Sequence, residues 1–296
     1  MKNFNTIILF GTGRSGTTIL MEALFRHPDL AYISSLQEKR PKLLSINIVR
    51  YFFDNKLYRV FGKKEQLKKE SIINKFIFKA AEGYPVWNYL MHEEVNFSRN
   101  FLAGVRPSIK LKSKVLKYLD AIRKIQGKSS FGIKITGPGR LLFMHEIFPD
   151  GKFVWLKRDF IPTLSSFLEV NFWQDRSTGI LWWEGPYTEE ERKILNDIQD
   201  NKVLFTAFQL NKIIEVIEEE IIKYNIPVLQ LSYEQMVVEP EKALGDVLDY
   251  CNLSHHKDCF NYLKNNRFVN RNKSNQDYFD RDTLVEMEKL LGKKFL

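Results

Sequence analysis

From Gly11 to Thr18 the chain reads Gly11-Thr12-Gly13-Arg14-Ser15-Gly16-Thr17-Thr18, a run of residues suited to holding phosphate. Gly11 and Gly16 keep the spacing of a nucleotide-binding glycine loop, in which backbone N–H groups curl around an anion where a helix begins. Loops of this kind carry a lysine directly after the second glycine. Here Thr17 stands in that place, and the cation, Arg14, lies inside the loop. From there it approaches the terminal group of a bound anion from a different side. Gly13 and Gly16 let the backbone come close, and the hydroxyls of Ser15, Thr17 and Thr18 can donate to phosphate oxygens without a metal.

A loop of this kind works only between a strand and a helix. Thr6–Phe10 reads as the strand and Thr17–Arg26 as the helix, closed by His27-Pro28. Further strands are expected at Ser130–Ile135, Lys152–Leu156 and Pro227–Leu231, each a short apolar run with a helix signal downstream. Helices are expected at Ile161–Val170, with Pro162 near its start, and at Gln209–Tyr224, and Thr188 to Glu191 forms a capping box opening another. Strands alternating with helices imply an α/β fold with a parallel sheet. Arg40–Gly127 shows basic helical stretches and no clear strand, so it reads as a helical insertion after the first strand–helix unit. No Pro/Gly/Ser-rich linker frames it, and residues 1–296 are expected to form a single domain.

Composition narrows the function classes. With 44% apolar and 27% charged residues, the chain can bury a sizeable core, which excludes a disordered or collagen-like chain. No apolar run approaches the roughly 18–20 residues of a membrane span, and Met1–Phe10 does not read as a signal peptide. Cys251 and Cys259 are too few for a disulfide framework, and the expectation is two free thiols in the cytoplasm. The net charge of +9 is concentrated: Arg99 to Lys134 carries ten Lys/Arg against one acid, Asp120 (10 − 1 = 9). That window suits a polyanionic ligand or is a solvated helix face. No zinc-finger, RNP-like or helix-turn-helix pattern points to nucleic acid. Two other readings stay open on the residues alone, a P-loop kinase or NTPase with a degenerate loop and a non-catalytic polyanion-binding protein.

The stretch Gly11 to Leu20, followed by His27-Pro28-Asp29, resembles the 5′-phosphosulfate loop of sulfotransferases that use 3′-phosphoadenylyl sulfate (PAPS). It looks most like the bacterial and tyrosylprotein-sulfotransferase branch, where arginine replaces lysine. Further segments match in order. Phe153-Val154-Trp155-Leu156-Lys157-Arg158-Asp159, with Ser166 on the next helix, resembles the family's 3′-phosphate site, Ser165 being the neighbouring alternative. Lys134 near the end of Phe131–Thr136 resembles the second catalytic cation. Tyr233 in Ser232-Tyr233-Glu234-Gln235-Met236 resembles a nucleotide contact, and Asn270-Arg271-Asn272-Lys273-Ser274 resembles the C-terminal polar loop, with Lys273 as its cation.

The resemblance implies a P-loop-type parallel sheet flanked by helices and transfer of a sulfuryl group from PAPS to a hydroxyl or amine, leaving adenosine 3′,5′-bisphosphate. No metal is implied, and the acceptor ranges over small molecules, carbohydrates, lipids and peptides. Arg14 and Lys134 would flank the sulfuryl group and stabilise its developing charge. The base is less clear. Thr136 stands where cytosolic relatives place a histidine, and ungapped counting puts Ser35 where the tyrosylprotein enzymes place a glutamate. Glu38 is the nearest carboxylate and the expected base, with His92, Glu93 and Glu94 in reserve. Phe172, Trp173, Trp182, Trp183 and Tyr187 are the expected acceptor wall.

Overall fold

The computed structural model describes residues 4–55, 59, 79–170, 173, 181–266 and 270–296. Its centre is a sheet of five parallel strands: β1 (Thr6–Gly11), β2 (Leu30–Tyr32), β3 (Ser130–Thr136), β4 (Lys152–Lys157) and β5 (Val228–Ser232). They lie in the order β2-β3-β1-β4-β5, with Leu9 beside Lys134 on one flank and Val154 on the other. Every residue of β1 is buried. Its side chains alternate between two apolar layers, Ile8 and Phe10 packing into one, Ile7 and Leu9 into the other. A strand covered on both faces has to be a continuous apolar run, which is why this segment was readable from sequence.

The expected strands at β1, β3, β4 and β5 are present. β2 was not anticipated, because three residues are too short a run to stand out. Helix α1 (Thr17–Leu24) follows the glycine loop, and α2 (Ser35–Lys39) follows β2, capped by Ser34. The helical insertion therefore falls between β2 and β3. It contains α3 (Ile48–Phe53), α4 (Tyr84–Met91) and α5 (Ile109–Ile125); its residues 56–58 and 60–78 lie outside the described ones. After β3 come α6 (Leu141–Ile147), β4 and α7 (Phe160–Leu168). Next are α8 (Glu189–Asp197), opened by the expected Thr188 capping box, and α9 (Lys202–Lys223). The last helix starts earlier than the apolar spacing suggested, because Asn201 caps it through the N–H groups of Val203 and Leu204. Helices α10 (Tyr233–Val238), α11 (Pro240–Tyr250), α12 (Lys257–Asn265) and α13 (Arg281–Leu291) complete the chain.

The basic window maps largely onto α5, which buries Leu111, Val115, Leu119 and Ile122 along one face and leaves Lys110, Lys117 and Lys124 exposed. Several of its charges meet acids: Lys112 and Arg106 reach Glu146, Arg123 and Lys124 reach Asp120, and Lys128 reaches Asp54. Most of the net excess is thus structural ion pairing and solvated helix face. Among the described residues, no helix is long and apolar enough to cross a membrane.

The sheet order has one functional consequence. From β1 the chain moves outward to β2 and back to β3 on one side, then crosses to β4 on the other. The direction of winding reverses at β1 and β4. In open parallel sheets, the crevice beyond the C-terminal strand ends at such a reversal is where ligands bind. The glycine loop leaves β1 at that crevice, and Arg158 directly follows β4.

Candidate active site

Two cavities open beyond these strand ends. The smaller, of about 300 Å³, is lined by Arg14, Gly16, Thr17 and Thr18 from the loop and by Arg158, Ser165, Ser166 and Glu169 after β4. Tyr233, Arg271, Lys273 and Tyr278 complete the wall. The larger, of about 840 Å³, lies over the end of β3 and is lined by Glu82, Tyr84, Lys134, Thr136, Phe167, Trp182 and Trp183, among others. Arg14, Thr17, Thr18 and Arg271 border both, so the two spaces meet at the glycine loop.

The loop is built from left-handed backbone: Gly13, Arg14 and Gly16 have φ of 86°, 56° and 88°. This conformation turns successive N–H groups toward one concave side. Gly16 also has no room for a side chain, since a Cβ there would stand 2.7 Å from the Tyr233 ring. Arg14 adopts the same conformation with a side chain, at a cost of about 1–2 kcal/mol. Its Nε donates to Ser166 Oγ at 3.0 Å, tying the loop to α7. Partial burial and the nearby Arg158 and Arg271 guanidiniums all pull the Arg14 pKa down, so cations are crowded here. Ser15 departs from expectation: its hydroxyl is buried and unpartnered, packed under the loop against Gly11 rather than facing either cavity.

Arg158 is fixed on three sides. It stacks on the Tyr233 ring with its guanidinium carbon 4.6 Å from the centroid, Nη1 donates to the Arg14 carbonyl at 3.0 Å, and Nε donates to Asn272 Oδ1 at 2.9 Å. Asn272 Nδ2 in turn donates to Glu234 at 2.6 Å and to Asp159 at 3.3 Å, which places Arg271 and Lys273 over the small cavity. Burial and the neighbouring Glu234 raise the Asp159 carboxyl pKa. Arg271, beside the expected cation Lys273, borders both cavities and is held there by the Asn272 tether, a contact that nothing in the local sequence signals.

In the larger cavity Lys134 is buried to 1% side-chain exposure, with Nζ 2.7 Å from Glu82 Oε1 and 3.0 Å from Thr18 Oγ1. Thr136 Oγ1 donates to the other Glu82 oxygen at 2.7 Å. Tyr84 spends its hydroxyl on the Thr136 backbone, donating to the carbonyl at 2.6 Å, and so offers the cavity mainly its ring. Trp183 packs on Gly137, where a Cβ would come within 2.7 Å of the indole. Trp173, Trp182, Trp183 and Phe167 form one aromatic cluster with centroids 5.3–6.4 Å apart. Of the expected acceptor wall, Trp182 and Trp183 line the cavity, Trp173 and Tyr187 are packed behind it, and Phe172 lies outside the described residues.

The structure therefore gathers Gly13, Arg14, Gly16, Thr17, Thr18, Lys134, Arg158, Ser166, Tyr233 and Lys273 at the two cavities. It does not bring Glu38 there. Its Oε1 accepts from the Gly83 N–H at 2.6 Å, and the carboxylate lining the cavity is the preceding residue, Glu82. Nothing local to Glu82 in the sequence signals this, because it reaches the site only after the insertion folds back across β2. His92 and Glu94 are also engaged elsewhere, His92 with the Tyr89 carbonyl and Glu94 with Ser108.

A parallel sheet with a glycine-loop anion cradle at its winding reversal, cations gathered around it and an aromatic chamber beside it defines a P-loop-type α/β transferase. The sequence profile described as the sulfotransferase family matches residues 6–258, and the chain belongs to that family. Among solved structures, a sulfotransferase of Mycobacterium avium aligns with a TM-score of 0.58 at 12% identity, covering 99% of this chain and 76% of that one. That likeness shows a shared fold. A sulfotransferase of Alicyclobacillus acidocaldarius aligns at 0.43 and 13% identity over 99% and 98% of the two chains. A retinol dehydratase in complex with retinol and PAP aligns at 0.41 and 11% over 99% and 81%. No curated protein gives a significant match.

Proposed function

We propose that this sulfotransferase takes PAPS as donor and a small, largely apolar, ring-bearing alcohol or phenol as acceptor. The observation that carries the reading is the junction of a small cationic cavity with a larger aromatic one at the glycine loop, with the Glu82–Lys134 pair on the acceptor side. The donor carries a charge of roughly −4 at neutral pH. The small cavity suits it: four cations, Arg14, Arg158, Arg271 and Lys273, face one acid, Glu169, around the glycine loop. Tyr233 offers a ring face, already stacked with Arg158.

In the proposed step the acceptor oxygen attacks sulfur in line. The new O–S bond forms as the bond from sulfur to the bridging phosphate oxygen breaks, and the bridging oxygen keeps the electron pair. Arg14 and Lys134 stabilise the charge that builds on the equatorial and bridging oxygens. Glu82 accepts the acceptor's proton, for which its carboxylate must exchange a bond to Lys134 or Thr136 for the incoming hydroxyl. The partner exchanged is then free to turn toward the reacting group.

The acceptor class follows from where polar groups sit. The polar side chains of the larger cavity are Glu82, Lys134, Thr136, Arg14, Arg271, Thr12, Thr17 and Thr18, with Ser98 already donating to Asn88. The rest of the wall is Tyr84, Phe167, Val170, Trp182 and Trp183. Each acceptor hydroxyl left without a partner there would cost about 1–3 kcal/mol. A molecule with one hydroxyl and an apolar body fits, and 840 Å³ lies within the range of small-molecule sites. The buried free thiols Cys251 and Cys259 are consistent with a reducing cytoplasm.

The test is thermal unfolding in EDTA with adenosine 3′,5′-bisphosphate, AMP or ATP, and separately with ATP and Mg²⁺ in the absence of EDTA. A ligand at 100 times its Kd stabilises the fold by about 2.7 kcal/mol, a shift of several degrees. The bisphosphate should shift the midpoint most. Equal shifts with AMP would remove the 3′-phosphate site, and a shift only with ATP and Mg²⁺ would favour a kinase.

A further inference from the structure

Glu82 is held in the acceptor chamber by a short strip of chain, residues 79–83, docked beside the end of β2. Ser35 N–H donates to the Lys79 carbonyl and Ala81 N–H to the Ile33 carbonyl, both at 2.9 Å, with an antiparallel bridge between Ser34 and Ala80. The Trp87 indole donates to the Glu82 carbonyl at 3.0 Å. The other end of that same peptide group, the Gly83 N–H, donates to the Glu38 carboxylate at 2.6 Å.

Gly83 makes that last contact consequential. It has a φ of 78°, and a Cβ would stand 2.7 Å from Ile33 Cδ1, so only glycine fits. Glycine is also the residue whose backbone least resists rotation. Gly83 is the N-cap of α4, and its own N–H is one of the donors that a helix start leaves without an intrahelical partner. Glu38 supplies the missing acceptor from α2, and its negative charge lies favourably at a helix N-terminus.

Resting on the assignment of Glu82 as base, we propose that Glu38 is a positioning residue for catalysis: through the Gly83 N–H it sets the peptide that aims Glu82 at Lys134 and the acceptor. Its carboxylate touches no reacting atom. What Glu38 contributes is a hydrogen-bond acceptor of the right reach, not a proton-accepting group.

Glutamine keeps an acceptor oxygen at that reach, and alanine does not. The experiment compares Glu38→Gln, Glu38→Ala and Glu82→Gln in the full chain, with PAPS as donor and 2-naphthol as probe acceptor, following bisphosphate release against pH. Glu38→Ala should lower kcat by about 10- to 100-fold with the KM for PAPS little changed, as expected for misplacement of a reacting group. Glu38→Gln should recover most of that loss, and both should keep the acid limb of the pH profile. Glu82→Gln should lose about 10²- to 10⁴-fold and the acid limb with it. Hydrogen exchange at the Gly83 amide, which needs no turnover, should speed up at least about tenfold in Glu38→Ala and little in Glu38→Gln. If Glu38→Gln is as impaired as Glu38→Ala and its acid limb is gone, Glu38 is itself the base and the positioning role falls. Unchanged exchange at Gly83 in Glu38→Ala overturns it as well. Failure of the bisphosphate to stabilise the wild-type protein would instead count against the PAPS reading, leaving the exchange result to stand alone.

Discussion

Replacing Arg158 with alanine should weaken adenosine 3′,5′-bisphosphate far more than AMP. Of the five N–H donors on this guanidinium, the Nε and one Nη1 donor are used on Asn272 and the Arg14 carbonyl. The stacking on Tyr233 fixes the plane in which the others point. A charge-assisted contact to one phosphate contributes about 1.5–3 kcal/mol, which is about 10- to 150-fold in Kd. The substitution also releases the Arg14 carbonyl and the Asn272 tether, an indirect cost felt by any nucleotide in the loop. A neutral hydrogen bond contributes about 0.5–1.5 kcal/mol, so AMP should weaken by about 2- to 12-fold. That indirect loss is common to both nucleotides, so the ratio of the two affinities should fall by the direct contribution alone, about 10- to 150-fold. Titration calorimetry at fixed salt with EDTA present reads both constants. Arg158→Lys keeps the charge and loses the planar fork, so it should fall between wild type and alanine. An equal loss for both nucleotides would mean that Arg158 acts only as a brace for the loop, with the 3′-phosphate held elsewhere.

Gly16→Ala adds a left-handed alanine and a 2.7 Å clash with Tyr233; Gly292→Ala, at φ 62° with open space around it, adds the backbone strain alone. The first should lower the melting temperature more than the second and abolish bisphosphate binding, as calorimetry would show. Lys134→Ala should cost about 10²- to 10³-fold in kcat with bisphosphate affinity largely kept, and a turnover assay showing wild-type kcat would remove it from the mechanism. Trp183→Ala should raise the KM for 2-naphthol and leave that for PAPS unchanged; parallel rises would place the acceptor elsewhere. Asp54 is buried, which raises its pKa, but Arg50, Lys128 and Arg59 together outweigh this and leave it lowered. Its stabilisation is present above the unfolded carboxylate pKa and lost as pH falls through the lower folded value. Asp54→Ala should cost about 3–5 kcal/mol at neutral pH in urea melts and remove that acid-side dependence.

What sequence could show divides along a physical line. The glycine loop, Arg158 and Tyr233 each sit at or just beyond the C-terminal end of a buried strand, where a short apolar run and the residues after it reveal both the element and its tip. Four of the five strands were legible for that reason, and β2, three residues long, was not. Glu82 was illegible because its place depends on pairing between residues 79–81 and 33–35, a contact made across the insertion. The basic window left two readings open because its ion-pair partners Glu146 and Asp54 lie outside it in sequence; the structure matches the solvated-face one, with ion pairing added. Glu38 lay close to the expected base position and next to the right segment, but its carboxylate meets a backbone N–H.

The most direct test of sulfuryl transfer from PAPS is to incubate the purified protein with PAPS and 2-naphthol in EDTA and analyse the products by mass spectrometry. The account predicts sulfated naphthol and adenosine 3′,5′-bisphosphate in equal amounts, both lost in Glu82→Gln. Intact PAPS after prolonged incubation, with 2-naphthol and with other hydroxylated ring compounds of similar size, would contradict it.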